Sequence, residues 1–128
     1  MLWVKSLETG ITMIDEQHKQ LFVQAGNLVD KENANRHKEI IEFLDKYIMK
    51  HFSDEQKMHR DTKYPKADAH KKMHDEYIVI FRKLKDKYVK EGPTIENNLG
   101  VNKTVIGWLK DHIMLHDKEY AAYYKALQ

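Results

Sequence analysis

The chain has 128 residues, of which 41% are hydrophobic and 33% charged, with a formal net charge of +2. That is one domain's length, too polar for a membrane bundle and too apolar for a disordered segment, and the near-balanced charge gives no reason to expect nucleic acid or an anionic membrane as partner. Five glycines and two prolines are too few for a turn-rich β fold, and the absence of cysteine removes disulfides, thiolate nucleophiles and sulfur-held metals.

The first twelve residues, carrying Trp3, Val4, Leu7 and Ile11, read as a non-helical arm. A helix is predicted over 13–31, where Ile14, His18, Leu21, Phe22, Ala25, Leu28 and Val29 recur at three- and four-residue steps. A polar joint, Lys31 to Asn35, leads to a second helix over 35–63, striped by Ile40, Ile41, Leu44, Tyr47, Ile48, His51, Phe52, Glu55 and Met58. Tyr64-Pro65 stops it, because proline cannot continue a helix and pushes its predecessor out of the helical region. A third helix over 67–90 closes at Glu91-Gly92-Pro93. The fourth, over 94–126, runs through Val105, Trp108, Leu109, His112, Ile113, Tyr120 and Tyr124; its start falls near Thr94 or Val101, since Gly100 weakens the first turn. The whole reads as one all-α domain over 1–128, an up-down-up-down four-helix bundle with an N-terminal arm. Met1–Gly10 lacks a signal-peptide pattern and no run approaches ~18 apolar residues, so a soluble cytoplasmic protein is expected.

Eight histidines in such a chain stand out. His18 shares a face with Ile14, Leu21 and Phe22; His51 and Glu55 project one turn apart from one face, as do His70 and His74; His112 follows Trp108 and Leu109 by one turn, with Asp117 five residues later. Random placement produces about half a His pair at four-residue spacing, so one pair alone carries little. The set carries more. Several imidazoles and two carboxylates inside one small bundle cost several kcal/mol per ionised group unless something binds them. A metal does so, and neutral imidazole with bridging carboxylate suits two iron or manganese ions between facing helices. Di-iron oxidases of the ferritin type use four carboxylates and Glu-x-x-His units, and no Glu-x-x-His occurs here. A histidine-rich site with two carboxylates stabilises high-valent iron poorly, which favours reversible handling of oxygen over attack on C–H bonds.

Together these residues resemble the bacterial hemerythrins, single-domain non-haem di-iron oxygen-binding proteins. The resemblance rests on Trp3, Gly10-Ile11, Ile14-Asp15-Glu16-Gln17-His18, His51-Phe52-Ser53-Asp54-Glu55 with Met58, Tyr64-Pro65, His70-Lys71-Lys72-Met73-His74, and Trp108-Leu109-Lys110-Asp111-His112-Ile113 with Asp117 and Tyr120. It implies that His70, His74 and His112 hold one iron, and His18 and His51 the other. Glu55, Asp117 and a solvent-derived oxygen bridge the pair, and the two-histidine iron keeps an open position for molecular oxygen. Leu21, Phe22, Ile48, Phe52, Trp108, Leu109 and Ile113 lie within one turn of these positions and are candidates to line a dry oxygen pocket; ordinary core packing is the competing reading of each.

Spacing and resemblance disagree over the last ligand. On a regular helix His116 stands about 40° around from His112, and Asp117 about 140°. Spacing favours His116; the resemblance, and the fact that a carboxylate can bridge two ions, favour Asp117. A π-type turn between His112 and Asp117 reconciles the two, as does a carboxylate reaching in from the flank. His59 and His116 lie on nearly the right faces, and His37 near the joint is expected to be solvated. The expected function is oxygen storage, delivery or buffering without catalysis. The alternatives on the same site are a di-iron enzyme (oxidase, peroxidase or nitric oxide reductase) and an iron store or donor.

Overall fold

A computed structural model describes residues 3–30 and 36–128. Four helical columns pack around a common core: α1 (Thr12–Asn27), α2 (His37–Asp61), α3 (Ala67–Glu91), and a last column made of α4 (Ile95–His112), a π-helical segment (Ile113–Asp117) and α5 (Lys118–Ala126). α1 packs on α2 and α4, and α3 packs on α2 and α4, the closed square of a four-helix bundle. No strand occurs among the described residues.

Several boundaries differ from the sequence reading. α1 stops at Asn27, where Val29 N–H turns back to the Gly26 carbonyl and Asp30 N–H to that of Asn27. Gly26 and Asn27 are poor helix formers, and the turn keeps Leu28 in the core while Val29, read as part of the apolar stripe, stands 46% exposed. The expected end at Lys31 and the joint through Asn35, where the second helix was expected to begin, lie outside the described residues. α2 ends two residues early: Lys63 adopts φ 54°, its N–H reaching the Arg60 carbonyl and the Tyr64 N–H reaching that of His59. This closes the helix by the left-handed cap usually given to glycine, and it tucks Tyr64 into the core. The start of α4 is settled by Thr94, whose hydroxyl accepts from the Asn97 N–H. The arm is not wholly irregular, since Lys5–Leu7 form one 3-10 turn that drives Leu7 into the core. Asp15 then anchors the arm to α1 by accepting from the Thr9 N–H and hydroxyl at 2.8 Å and from the Gly10 N–H at 3.0 Å.

Two apolar clusters result. The larger runs from Leu28, Ile40, Ile41 and Leu44 to Phe52, Leu109 and Ile113; the smaller holds Ile11, Ile14, Tyr64, Tyr120 and Ala121. On every column a buried histidine or carboxylate falls between the two. α1 reads Ile14, His18, Leu21; α2 reads Phe52, Glu55, Met58; α3 reads Ala67, His70, Tyr77; the last column reads Leu109, His112, Tyr120. The bundle thus carries one polar layer sealed by apolar residues on both sides.

Candidate metal centre

The residues singled out from the sequence, His18, His51, Glu55, His70, His74, His112 and Asp117, meet in that layer, each 0–4% exposed. They form two overlapping groups: Glu55, His70, His74, His112 and Asp117, and His18, His51, Glu55 and Asp117, the donor atoms of each group all lying within 4.8 Å of one another. The carboxylates belong to both. Glu55 turns Oε1 toward His70 Nε2 (2.9 Å) and His74 Nε2 (3.8 Å), and Oε2 toward His51 Nε2 (3.3 Å). Asp117 turns Oδ1 toward His70 and His112 Nε2 (3.1 Å each) and Oδ2 toward His18 Nε2 (3.1 Å). Each carboxylate therefore gives one oxygen to the three-histidine group and one to the two-histidine group.

Helix geometry explains why Asp117 takes part. The Lys118 N–H bonds the Ile113 carbonyl, five residues back, in the π segment Ile113–Asp117. The extra residue rotates Asp117 back onto the His112 face, resolving the conflict between spacing and resemblance. His116 is left half-buried, its ring 5.4 Å from that of His112 and outside both groups.

The donor set is one that a metal fits. His70 and His112 Nε2 approach to 2.7 Å, His74 and His112 Nε2 to 3.2 Å, and His18 and His51 Nε2 to 3.1 Å. Nitrogens at about 2.1 Å from one ion and at right angles stand about 3 Å apart, close to these separations. Both oxygens of Glu55 and of Asp117 are buried without a hydrogen-bond partner, so the protein by itself leaves its most costly groups unsatisfied.

The electrostatics carry the same strain. Burial, reinforced by the Asp117 charge, pushes Glu55 up to about 8. Asp117 is held well below the usual carboxylate range, its burial outweighed by His112 and its other imidazole neighbours. His70 is raised to about 9: burial opposes its charge, but Asp117 and Glu55 outweigh it. Burial lowers His51, His74 and His112, and keeps these ligand-type rings neutral.

Outer partners orient the rings. His51 Nδ1–H donates to Gln17 Oε1 at 2.8 Å, and Gln17 Nε2 donates onward to Asp54 at 2.8 Å, which Lys50 meets at 2.6 Å. The Gln56 amide lies 3.1 Å from His74 Nδ1; turning that amide presents its oxygen as the acceptor that a metal-facing Nε2 requires. Phe52 stacks on His74 at 3.9 Å, Trp108 stacks on His112 at 4.3 Å, and Trp3 of the arm covers His18 with ring centres 6.3 Å apart. The sequence reading missed Gln17 and Gln56, whose only signal is their place beside a ligand-type residue.

Of the suggested pocket residues, Leu21, Phe22, Ile48, Phe52, Leu109 and Ile113 are buried in the larger cluster, and Trp108 packs half-buried on its edge. A cavity of about 230 Å³ reaches His112 beside Trp108, Met73, Glu76 and Asp111. His37, expected to be solvated, is half-buried and accepts from Asn98 Nδ2 at 3.1 Å. His59 is fully buried against Glu55, Nε2 to Oε1 3.5 Å, with its pKa lowered to about 4 by burial.

Fold and site together define a helical-bundle protein whose buried histidine and carboxylate cluster suits cation binding. A family model described as Hemerythrin HHE cation binding domain matches residues 9–124. A myohemerythrin of Theromyzon tessulatum is 31% identical over 118 residues, covering 92% of this chain and 88% of its own. A bacteriohemerythrin of Pseudomonas aeruginosa is 31% identical over 123 residues, covering 94% and 78%. Another, of Clostridium acetobutylicum, is 29% identical over 136 residues, covering 93% and 97%. The chain belongs to the hemerythrin family, and its cluster fits a non-haem di-iron oxygen binder. No helix among the described residues is long and apolar enough to cross a membrane.

Proposed function

We propose that the chain binds molecular oxygen reversibly at a di-iron centre. In this reading His70, His74 and His112 hold one iron, His18 and His51 hold the other, and Glu55, Asp117 and a solvent-derived oxygen bridge them. The observation that carries it is the division of each buried carboxylate between a three-histidine and a two-histidine group. When bound, a diferrous pair supplies the electrons that oxygen uptake needs. The two-histidine position has one protein donor fewer and leaves room for a ligand.

The chain's own part is to orient and to keep dry. Gln17 holds His51 with Nε2 aimed into the layer. Leu21, Phe22, Ile48, Phe52, Leu109 and Ile113 exclude bulk water, which would otherwise deliver the protons that make oxygen reduction irreversible. Trp108 closes the same wall at its rim. The dry wall and the small number of carboxylates favour carriage over catalysis.

The test is a spectroscopic titration of the reduced, iron-loaded protein with oxygen, followed by removal of the gas. A carrier returns to its starting spectrum without consuming an electron donor. Turnover that depends on a supplied donor makes the protein an enzyme, and loss of iron to mild acceptors makes it an iron store or donor.

A further inference from the structure

One buried histidine stands beside the metal layer without a partner. His59 is 0% exposed and neither of its ring nitrogens makes a hydrogen bond. It follows Glu55 by one turn of α2, so both project from one face, and its Nε2 lies 3.5 Å from Glu55 Oε1. That is a few tenths of an ångström beyond a good hydrogen bond. The ring is held on three sides, with centres 4.6 Å from His70, 4.3 Å from Tyr120 and 5.1 Å from Tyr64.

Two simpler roles fit poorly. An apolar side chain fills a core position between two tyrosines without burying two unpaired nitrogens, so packing alone does not account for an imidazole there. His59 is also absent from the five groups whose donor atoms converge around His70, His74 and His112, so it stands outside the inner set. What it does face is the oxygen of Glu55 nearest that group, itself without a hydrogen-bond partner.

We propose that His59 is a positioning residue for the bridging carboxylate, its neutral ring donating Nε2–H to Glu55 Oε1. The inference rests on the two-metal reading of the site. The bond fixes the plane of Glu55 between the two histidine groups and draws electron density from Oε1. A carboxylate that shares its charge with a donor binds a more highly charged metal less strongly. The oxidised centre is therefore disfavoured relative to the reduced one, as a protein that must keep its irons reduced requires. A hydrogen bond to a charged group shifts that balance on the order of tenfold.

The experiment compares iron-loaded wild type, His59→Leu and His59→Gln for iron content and for the ratio of oxidised to reduced centre at fixed applied potentials. All three are expected to hold two irons per chain. His59→Leu shifts the ratio toward the oxidised form on the order of tenfold, and His59→Gln, whose amide N–H reaches the same carboxylate, recovers part of the shift. An unchanged ratio in a fully loaded His59→Leu protein overturns the proposal and leaves the two-metal reading standing. Loss of one iron from that variant makes His59 a ligand and overturns it as well. A wild-type protein that takes up no iron overturns the two-metal reading and the proposal with it. The wild type gives a test independent of any variant's folding. In the zinc-loaded protein with ¹⁵N-labelled histidine, the His59 proton is expected on Nε2, slow to exchange and hydrogen-bonded; a proton on Nδ1 overturns the proposal.

Discussion

The two halves of the bundle are held together by different physics. In the distal half, Leu28, Ile40, Ile41, Leu44 and Val101 are 0–2% exposed and belong with Tyr88 to the larger apolar cluster. Removing such side chains from water stabilises that half whatever is bound elsewhere, at roughly 25 cal/mol per Å² of apolar surface. In the other half, six imidazoles (His59 among them) and the carboxylates of Glu55 and Asp117 are 0–4% exposed, and both carboxylates lack hydrogen bonds. Burial there costs free energy until something coordinates the donors. One half is folded by its own sequence; the other is completed by what it binds.

Metal removal is the largest test of that contrast. The metal-free protein is expected to unfold at a clearly lower temperature than the loaded one. Amide exchange should quicken most along α2 around His51 and Glu55, and least around Ile41 and Leu44. Equal melting temperatures would contradict the contrast. The metal-free form should also carry its own pH dependence. Glu55, raised from 4.5 to about 8, binds a proton in the folded chain that the unfolded chain releases, so its contribution to stability falls as pH rises between those values. His70, raised from 6.5 to about 9, contributes stability that is full below 6.5 and lost as pH rises toward 9. His59, lowered from 6.5 to about 4, acts on the acid side, where stability is lost as pH falls through that window. Thermal melts of the metal-free protein across pH 4 to 9 should show both flanks, and metal loading, which displaces the Glu55 proton, should flatten the alkaline one.

Substitution at the two contested positions on the last column separates the layer from its surface. Asp117→Ala removes a carboxylate that touches His18, His70 and His112, and should weaken metal binding by more than the ~10–100-fold typical of an outer partner. His116→Ala removes a half-buried ring outside both groups and should leave metal content and its spectrum nearly unchanged. The opposite pattern would mean that the π segment does not bring Asp117 to the metals.

In the distal half the contrast predicts metal-independent losses. Leu44 is 0% exposed, and Leu44→Ala should cost about 2–5 kcal/mol by lost burial and the cavity left behind. The loss should be the same with and without metal, measured by denaturant unfolding of both forms. A loss that differs between them by more than about 0.5 kcal/mol would show that the two halves are coupled.

What could be read from the chain follows the same division. Three- and four-residue apolar steps, few breakers and Tyr64-Pro65 and Gly92-Pro93 stops made the four columns legible, because helix periodicity survives in any bundle. The convergence of histidines on the inner faces was legible for the same reason. Asp117 was not legible from spacing, since a π segment changes the very period on which spacing relies; the resemblance and the bridging chemistry of a carboxylate pointed to it. The 3-10 turn at Lys5–Leu7 and the early end of α1 depend on where Leu7 and Leu28 find the core, a tertiary fact. His59 looked like a near miss beside Glu55; its burial against Tyr64 and Tyr120 depends on the left-handed cap at Lys63 and on α5, neither of which the pattern specifies.

The smallest expected effect lies one step out from the metals, at Gln17. Its oxygen accepts from His51 Nδ1–H at 2.8 Å, which fixes the tautomer whose Nε2 lone pair faces the layer. Its nitrogen donates to Asp54, a carboxylate that Lys50 also holds at 2.6 Å, so that end of the chain survives loss of Gln17. Gln17→Leu keeps the buried volume but leaves Nδ1–H without an acceptor, and His51 is then free to rotate or to carry its proton on Nε2. The cost falls on the two-histidine position: its metal affinity should drop by roughly 10–100-fold, read by competition with a chelator, while the three-histidine position holds its metal. Gln17→Glu keeps an acceptor for Nδ1–H and should retain most of the affinity. Melting of the distal half should not change in either variant. If both positions lost metal equally, the two groups would form one cooperative site; if neither did, packing in the layer alone would suffice to hold His51 in place.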